Sequence, residues 1–282
     1  MPILIDRRKF LCAAGAAGLL AKTLPAKPER LRWSLLSDTH VSQDPEFANR
    51  GFFPARNLKT VVGQVTASRW NQQVINGDLA LRLGQTADYQ RFMELTRPLI
   101  AAAPLALSLG NHDDRINAIA ALGAKNVVAG KWVSTFEAPP FQIVVLDSLY
   151  LTNQGAGLLG KAQRDWLTKF LDLHADKPTL VFVHHTLDDS DSSLLDADRF
   201  LKIVTPRRQV KAVFYGHSHA YHYGVEDGLH LVNQPAVGYN FDDDQPIGWL
   251  EFEFDAADAR ITLHAIGGNQ DLNGQTKLLK WR

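Results

Sequence analysis

The chain carries ten histidines and one cysteine in 282 residues, a balance that suits metal ligation or proton transfer by imidazole rather than thiol chemistry. Several of these histidines stand with Asp and Asn directly behind apolar runs. Leu35-Leu36-Ser37 leads into Asp38-Thr39-His40, Val74-Ile75-Asn76-Gly77 into Asp78, and the run Leu105 to Gly110 into Asn111-His112-Asp113. Val181-Phe182-Val183 leads into His184-His185, and Phe214-Tyr215-Gly216 into His217-Ser218-His219. On an extended segment, side chains at i and i+2 point the same way, so Asp38 with His40, and His217 with His219, can each grip one ion. Asn111 offers a neutral carbonyl oxygen, and His112 an imidazole able to move a proton near neutral pH. Gly110 lets the chain turn sharply before them. Each motif alone has a plainer reading, such as a Gly-Asp turn, a satisfied core histidine, or Asn111 and Asp113 capping a helix that starts near Asp114. Five strand ends delivering Asp, His, Asp, Asn, His, His and His are hard to reconcile with five accidents.

The elements that must position these groups alternate between strand and helix. Strands are expected over 31–37, 73–76, 105–109, 141–146, 179–183 and 210–215, and helices over 56–70, 86–102 and 161–173. The run at 105–109 reads as a strand covered on both faces, and ligands in such folds gather beyond the carboxyl ends of the strands. Tyr89, Phe92, Met93, Leu95 and Leu99 give the second helix its apolar side, while Trp166, Leu167, Phe170 and Leu171 give the third a core face. After Gly228 strands follow one another without helices, at 229–232, 249–254 and 260–266. The pattern is that of one α/β domain, residues 27–282, with an antiparallel C-terminal portion folded onto it.

Composition is ordinary for a globular protein, 45% hydrophobic and 21% charged, with a formal net charge of zero. No strong field therefore selects for nucleic acid or an anionic membrane. The N-terminus is different in kind. Asp6-Arg7-Arg8-Lys9-Phe10-Leu11 precedes an Ala/Gly-rich apolar run to Leu20 and then Leu24-Pro25-Ala26. That order resembles a twin-arginine signal peptide over residues 1–26, with Asp6 where Ser or Thr is more usual. The run is short for a membrane span, so no stable anchor is expected after cleavage. Removing residues 1–26 removes four basic residues and one acidic, leaving 26 against 29 and a net charge of −3. The single Cys12 leaves with them. The twin-arginine export machinery is then a partner, and the protein is expected in the periplasm or another extracytoplasmic space.

The ordered set D-x-H, G-D, G-N-H-D, H-H and G-H-x-H resembles the calcineurin-like metallophosphoesterase superfamily, and within it the class III cyclic-nucleotide phosphodiesterase branch. The resemblance covers Arg32 to Tyr223, including Gly77-Asp78-Leu79, Gln163 to Leu167 and the His184-His185 pair. It implies a four-layer αββα sandwich, helices outside two sheets, with two divalent metal ions at the strand ends. Carried over, one ion takes Asp38, His40 and His219, the other Asn111, His184 and His217, and Asp78 bridges both. The family pattern favours His184 over His185 as the ligand. His112 becomes the general acid, Asp113 orients it, and a hydroxide bridging the ions attacks phosphorus. Fe, Mn and Zn suit these ligands about equally.

The resemblance, taken with the signal-like N-terminus, implies an exported hydrolase of small phosphodiesters or phosphomonoesters. Two alternatives stand beside it: a metal-binding member of the fold that has lost catalysis, and a nuclease. Intact His112 argues against the first, and the acidic balance against the second. Relatives of the branch often continue His-His with Pro; here Thr186 follows, and Asp188, Asp189 and Asp191 form an acidic loop that either repels polyanions at the rim or lies solvated elsewhere. His222 between Tyr221 and Tyr223 reads as pocket wall or core strand, and Asp242-Asp243-Asp244 as an exposed turn. His174, His230 and His264 read as structural. Asn233-Gln234-Pro235-Ala236 resembles a family loop near the site, without an assignable role.

Overall fold

The computed structural model describes residues 30–123 and 127–282. The expected signal segment and its Cys12 lie outside the described residues. In chain order the elements are β1 (Leu31–Leu36), α1 (Pro54–Thr66), β2 (Gln72–Asn76), α2 (Thr86–Ala102), β3 (Leu105–Ser108), α3 (Arg115–Leu122), β4 (Val127–Val128), β5 (Lys131–Trp132), β6 (Ser134–Ala138) and β7 (Phe141–Val145). They continue with α4 (Gly160–Leu173), β8 (Thr179–Phe182), α5 (Ala197–Val204), β9 (Val210–Tyr215), β10 (His222–Glu226), β11 (Leu229–Asn233), β12 (Pro246–Phe254), β13 (Asp258–Gly268) and β14 (Thr276–Lys280).

Two six-stranded sheets carry the architecture. Sheet I runs β14-β13-β12-β1-β2-β3 and sheet II runs β10-β11-β9-β8-β7-β6. The period of two in each strand sorts side chains between three cores. In sheet I, Trp33, Leu35 and Val74 face sheet II, where Phe182 and Phe214 meet them, while Leu36 and Ile75 turn outward onto α1 and α2 residues such as Leu58, Val61 and Phe92. In sheet II, Val181, Val183 and Val213 turn outward onto Leu167 and Leu171 of α4 and Phe200 of α5. Three apolar layers between four structural layers make the αββα sandwich expected. Strands buried on both faces explain why their sequences are continuous apolar runs.

The departures have physical causes. β3 is an edge strand, with Leu105, Ala106 and Leu107 only partly buried, although its sequence is as apolar as a central strand's. The C-terminal portion is not laid onto a finished domain. The β10–β11 hairpin extends sheet II, with β11 parallel to β9, while β12 pairs antiparallel with β1 and brings β13 and β14 into sheet I. Helix α1 starts at Pro54, two residues before the expected point, because proline's fixed φ suits a first helical position. α5 is only eight residues long and was hidden by the acidic loop before it. Among the described residues no helix is long and apolar enough to cross a membrane.

Candidate metal centre

Parallel strands β1, β2 and β3 of sheet I, and β8 and β9 of sheet II, end at one edge of the sandwich. The five motifs meet there. Ligand atoms of Asp38, His40, Asp78 and His219 lie within 4.8 Å of one another, as do those of Asp78, His184 and His217. Asp78 belongs to both groups. His40 Nε2 is 2.9 Å from His219 Nε2 and 3.6 Å from Asp78 Oδ2, and His184 Nε2 is 3.5 Å from that same oxygen. His219 Nε2 lies 3.4 Å from Asp38 Oδ1.

The backbone that does this is not extended. Asp38, His40, Asp78, His217 and His219 all have positive φ, from 45° to 71°. The extended i, i+2 geometry expected for Asp38 and His40, and for His217 and His219, is therefore corrected: β1 ends at Leu36, and each pair sits on a left-handed turn beyond its strand. L-residues enter that region at a cost on the order of 1 kcal/mol each, and such strain persists where function selects for it. Amides along the turns are held instead by the partner motif, Asp38 N donating to Gly77 O at 3.1 Å and His40 N to Asp78 O at 2.9 Å. The glycines are fixed by crowding. A Cβ on Gly77 would stand 2.3 Å from His184 Nδ1, and one on Gly110 would stand 2.2 Å from Asp78 Oδ1.

Three imidazoles are aimed by backbone carbonyls. His184 Nδ1 donates to Asn76 O at 2.7 Å, His219 Nδ1 to Tyr239 O at 2.5 Å and His40 Nδ1 to Leu81 O at 3.3 Å. Each bond puts the ring proton on Nδ1 and leaves the Nε2 lone pair for the centre. The donor set fits a pair of divalent cations. Asp38 Oδ1 and Asn111 Oδ1 are buried acceptors, and His184 Nε2 a buried ring nitrogen, with no hydrogen-bond partner in the protein, which is costly unless a cation satisfies them.

Charges within the cluster are interdependent. Burial, the largest single influence, would raise Asp38 and Asp78, but the surrounding imidazoles together outweigh it and hold both well below the usual carboxylate range, His184 with His219 at Asp38 and His184 with His40 at Asp78. Burial would lower His184, yet Asp78 and Asp38 push it up to about 9. Burial takes His40 down to about 3, against the pull of Asp78. His217 falls to about 4 through burial and then the charge of His184.

Of the expected site residues, the structure brings Asp38, His40, Asp78, Asn111, His112, His184, His217 and His219 to this edge. Asn111, His112, His217 and His219 line one cavity of about 420 Å³ with Asp78. His112 Nδ1 donates to Arg82 O at 3.3 Å, so its other nitrogen serves the cavity, and its amide donates to Asp78 Oδ1 at 2.8 Å. Asp113 is different from expectation. Its carboxylate is fully buried and accepts from Gly110 N at 2.9 Å, Ala80 N at 3.1 Å, Leu79 N at 3.2 Å and the Tyr89 hydroxyl at 3.0 Å. It braces the Asn111 turn and does not orient the His112 ring. The helix cap at this turn is Asp114, which accepts from Asn117 N at 2.8 Å.

His184, not His185, faces the centre. His185 is buried with Nδ1 2.7 Å from the Ser148 hydroxyl, and burial followed by the neighbouring His184 and His217 holds it well below the usual imidazole range. Asp188 reaches the cavity rim, whereas Asp189 and Asp191 line a separate groove. His222 opens β10 and is exposed.

Sequence reasoning missed the residues that tie the two sheets beneath the site. Asn76 Nδ2 donates to Gln234 Oε1 at 2.8 Å and to Val183 O at 3.1 Å, and Asn76 Oδ1 accepts from the Ser108 hydroxyl at 2.8 Å. Gln234 Nε2 reaches Leu36 O at 3.3 Å, so the loop at 233–236 acquires a role. Also missed was the segment after β7. Thr152 donates to Asp113 O and Asn153 N to Asn111 O, and Arg115 anchors the segment through Asp147 at 2.7 Å. The sole sequence signal for these was polar residues inside apolar surroundings.

A four-layer sandwich with buried Asp, Asn and His ligands converging at its parallel strand ends defines a metal-dependent phosphoester hydrolase. The profile of calcineurin-like phosphoesterases matches residues 34–221, and the chain belongs to that family. It is 27% identical over 229 residues to a probable cyclic nucleotide phosphodiesterase of Synechococcus, covering 78% of this chain and 86% of that one. A 3′,5′-cyclic adenosine monophosphate phosphodiesterase of Haemophilus influenzae is 26% identical over 235 residues, covering 77% and 83%. Among solved structures, a dimetal phosphatase from Danio rerio superposes with a TM-score of 0.71 at 14% identity, covering 90% of this chain and 100% of that one. That last likeness speaks for the fold alone.

Proposed function

We propose that the protein is an exported dinuclear metal-dependent phosphohydrolase that cleaves small phosphodiesters or phosphomonoesters. The observation that carries the reading is the Asp78 carboxylate, common to both ligand groups. A pair of divalent ions there, Fe, Mn or Zn, supplies positive charge toward phosphoryl oxygens and a water acidified toward neutral pH. Asp38, His40 and His219 would hold one, and Asn111, His184 and His217 the other. The chain's own side chains supply the rest. Asp38 and Asp78 cancel part of the cationic charge, while Asn111 and the imidazoles add none, so a phosphate remains attracted. His112, its Nδ1 committed to Arg82 O, delivers a proton from Nε2 to the leaving oxygen. Asn153, Ser190 and Ser192 form a polar wall that suits a hydroxyl-bearing ester. A cavity of about 420 Å³ accommodates a small ester, and the Asp188 carboxylate at its rim disfavours a polyanion.

The names of the relatives support 3′,5′-cyclic nucleotides within that class. The Arg7-Arg8 pair and the run to Ala26 support action outside the cytoplasm, where nutrient or envelope phosphoesters are the natural supply. Cell fractionation of the full chain against an Arg7→Lys/Arg8→Lys variant tests export; an unprocessed wild type confined to the cytoplasm contradicts it. Turnover is tested on the metal-reconstituted protein with 4-nitrophenyl phosphate, bis(4-nitrophenyl) phosphate and 3′,5′-cyclic adenosine monophosphate. Hydrolysis of at least one, abolished by chelation, is expected. A folded, metal-loaded protein inert toward all three overturns the reading.

A further inference from the structure

The cavity over the metal centre is lined almost entirely by residues of polar type. Beyond the ligands and His112, its walls come from Asn153, Gly155, Thr186, Asp188, Ser190, Ser192 and Ser218. Phe241 is the exception. The residue is 55% exposed, and of the exposed large apolar side chains among the described residues it alone lines this cavity. Isolated exposed apolar residues need no explanation, but this one is neither isolated nor loosely placed. It stacks on the imidazole of His219 with ring centroids 4.2 Å apart and planes 19° from parallel, and Tyr239 meets it at 5.8 Å and 68°. His219 in turn is fixed by its bond to Tyr239 O. One face of Phe241 is thereby fixed against a metal-ligand histidine, and the residue is still more than half exposed to solvent. The turn that follows it, Asp242 to Gln245, closes on itself through Gln245 N and Asp242 O at 3.0 Å, which holds the ring at the lip.

The geometry points to Phe241 as a stacking platform that selects phosphoesters whose ester group carries a flat ring, an inference that rests on the phosphohydrolase reading above. The phosphate sits at the metal centre, hydroxyls meet the wall of Asn153, Ser190 and Ser192, and the ring lies on Phe241. A ring laid on an aromatic face gains dispersion and loses apolar surface to water, and the contact tolerates different rings because each has a π-face. A purely structural Phe241 would instead serve to support His219.

Calorimetric binding of phenylphosphonate and methylphosphonate to the full, metal-reconstituted chain separates the two, because both probes share the anionic head and neither requires turnover. The wild type is expected to bind phenylphosphonate ~10-fold more tightly, a typical stacking increment. Phe241→Ala is expected to abolish that preference with metal content intact, Phe241→Leu to restore only a small part, and Phe241→Trp to keep or exceed it. A ring preference that survives in Phe241→Ala overturns the inference, as does loss of metal from that variant. Ester turnover by the wild type is measured alongside. Hydrolysis without a ring preference defeats this inference alone, and a ring preference without hydrolysis defeats the functional reading alone.

Discussion

Sheet I brings Asp38, His40, Asp78 and Asn111 to the centre, and sheet II brings His184, His217 and His219. Both use the carboxyl ends of parallel strands, and both place ligands on left-handed turns beside a glycine. Yet every carboxylate comes from sheet I. Two buried carboxylates on one sheet would repel each other and shift toward neutrality; here the surrounding imidazoles, His184 from the other sheet foremost among them, hold them ionised while they raise the proton affinity of His184 to about 9. Neither half is electrostatically complete alone. The centre is thus a product of the inter-sheet core, where Trp33, Phe182 and Phe214 set the spacing, and of the Asn76–Gln234 tie that crosses it.

The asymmetry can be broken from either side. Asp78→Ala removes the group common to both clusters, so both ions are expected to be lost and turnover to fall on the order of 10⁴-fold or more, several kcal/mol of charge stabilisation being removed. His217→Ala, on the imidazole-only side, is expected to leave one ion in place; metal analysis of the two purified variants distinguishes two lost from one lost. Equal losses would mean that Asp78 does not bridge. His112→Ala removes no ligand and keeps the amide that donates to Asp78, so it is expected to lower kcat by roughly 10² to 10⁴ at unchanged metal content, with the smallest loss for esters of acidic phenols, which need no proton.

The shared proton sharpens the comparison. In chelated protein His184 keeps its proton at pH 7.5, whereas a ligand imidazole must be neutral, so loading at that pH should release about one proton, read by calorimetry in buffers of different ionisation enthalpy. Release should fade above pH 9. For the chelated form, the raised His184 contributes stability that is full below its unfolded value near 6.5 and is lost as pH rises through about 9. His40 and His217, lowered to about 3 and 4, act oppositely and destabilise as pH falls below that same 6.5. A melting temperature that rises steadily from pH 7 to 9.5 in chelated protein contradicts this assignment. The smallest effect concerns the tie: Gln234→Ala removes one of the partners of Asn76 and is expected to weaken metal affinity about 10-fold, at the low end for support behind a ligand, with little change in turnover once saturated.

The apolar runs made the strands and the chemistry at their ends legible, because five such runs ending in Asp, Asn or His are hard to reconcile with accident, whereas the two-sheet sandwich and the ligand set followed from the resemblance those motifs carry. What stayed hidden was set by tertiary context. The edge position of β3 leaves no mark in Leu105-Ala-Leu-Ser, and the completion of both sheets by β10 to β14 depends on pairing across more than 200 residues, as between Leu31 and Phe254. Asp113 looked catalytic by adjacency; only its four donors reveal a brace. Asn76, Gln234 and Phe241 carry no spacing signal, since each acts through a partner distant in sequence or, for Phe241, through an open ring face.

Anomalous diffraction from crystals of the manganese- or zinc-reconstituted protein tests the central claim most directly. Two peaks are expected, one among Asp38, His40 and His219 and one among Asn111, His184 and His217, each within bonding distance of the Asp78 carboxylate. A single peak, or two of which Asp78 touches only one, would contradict it.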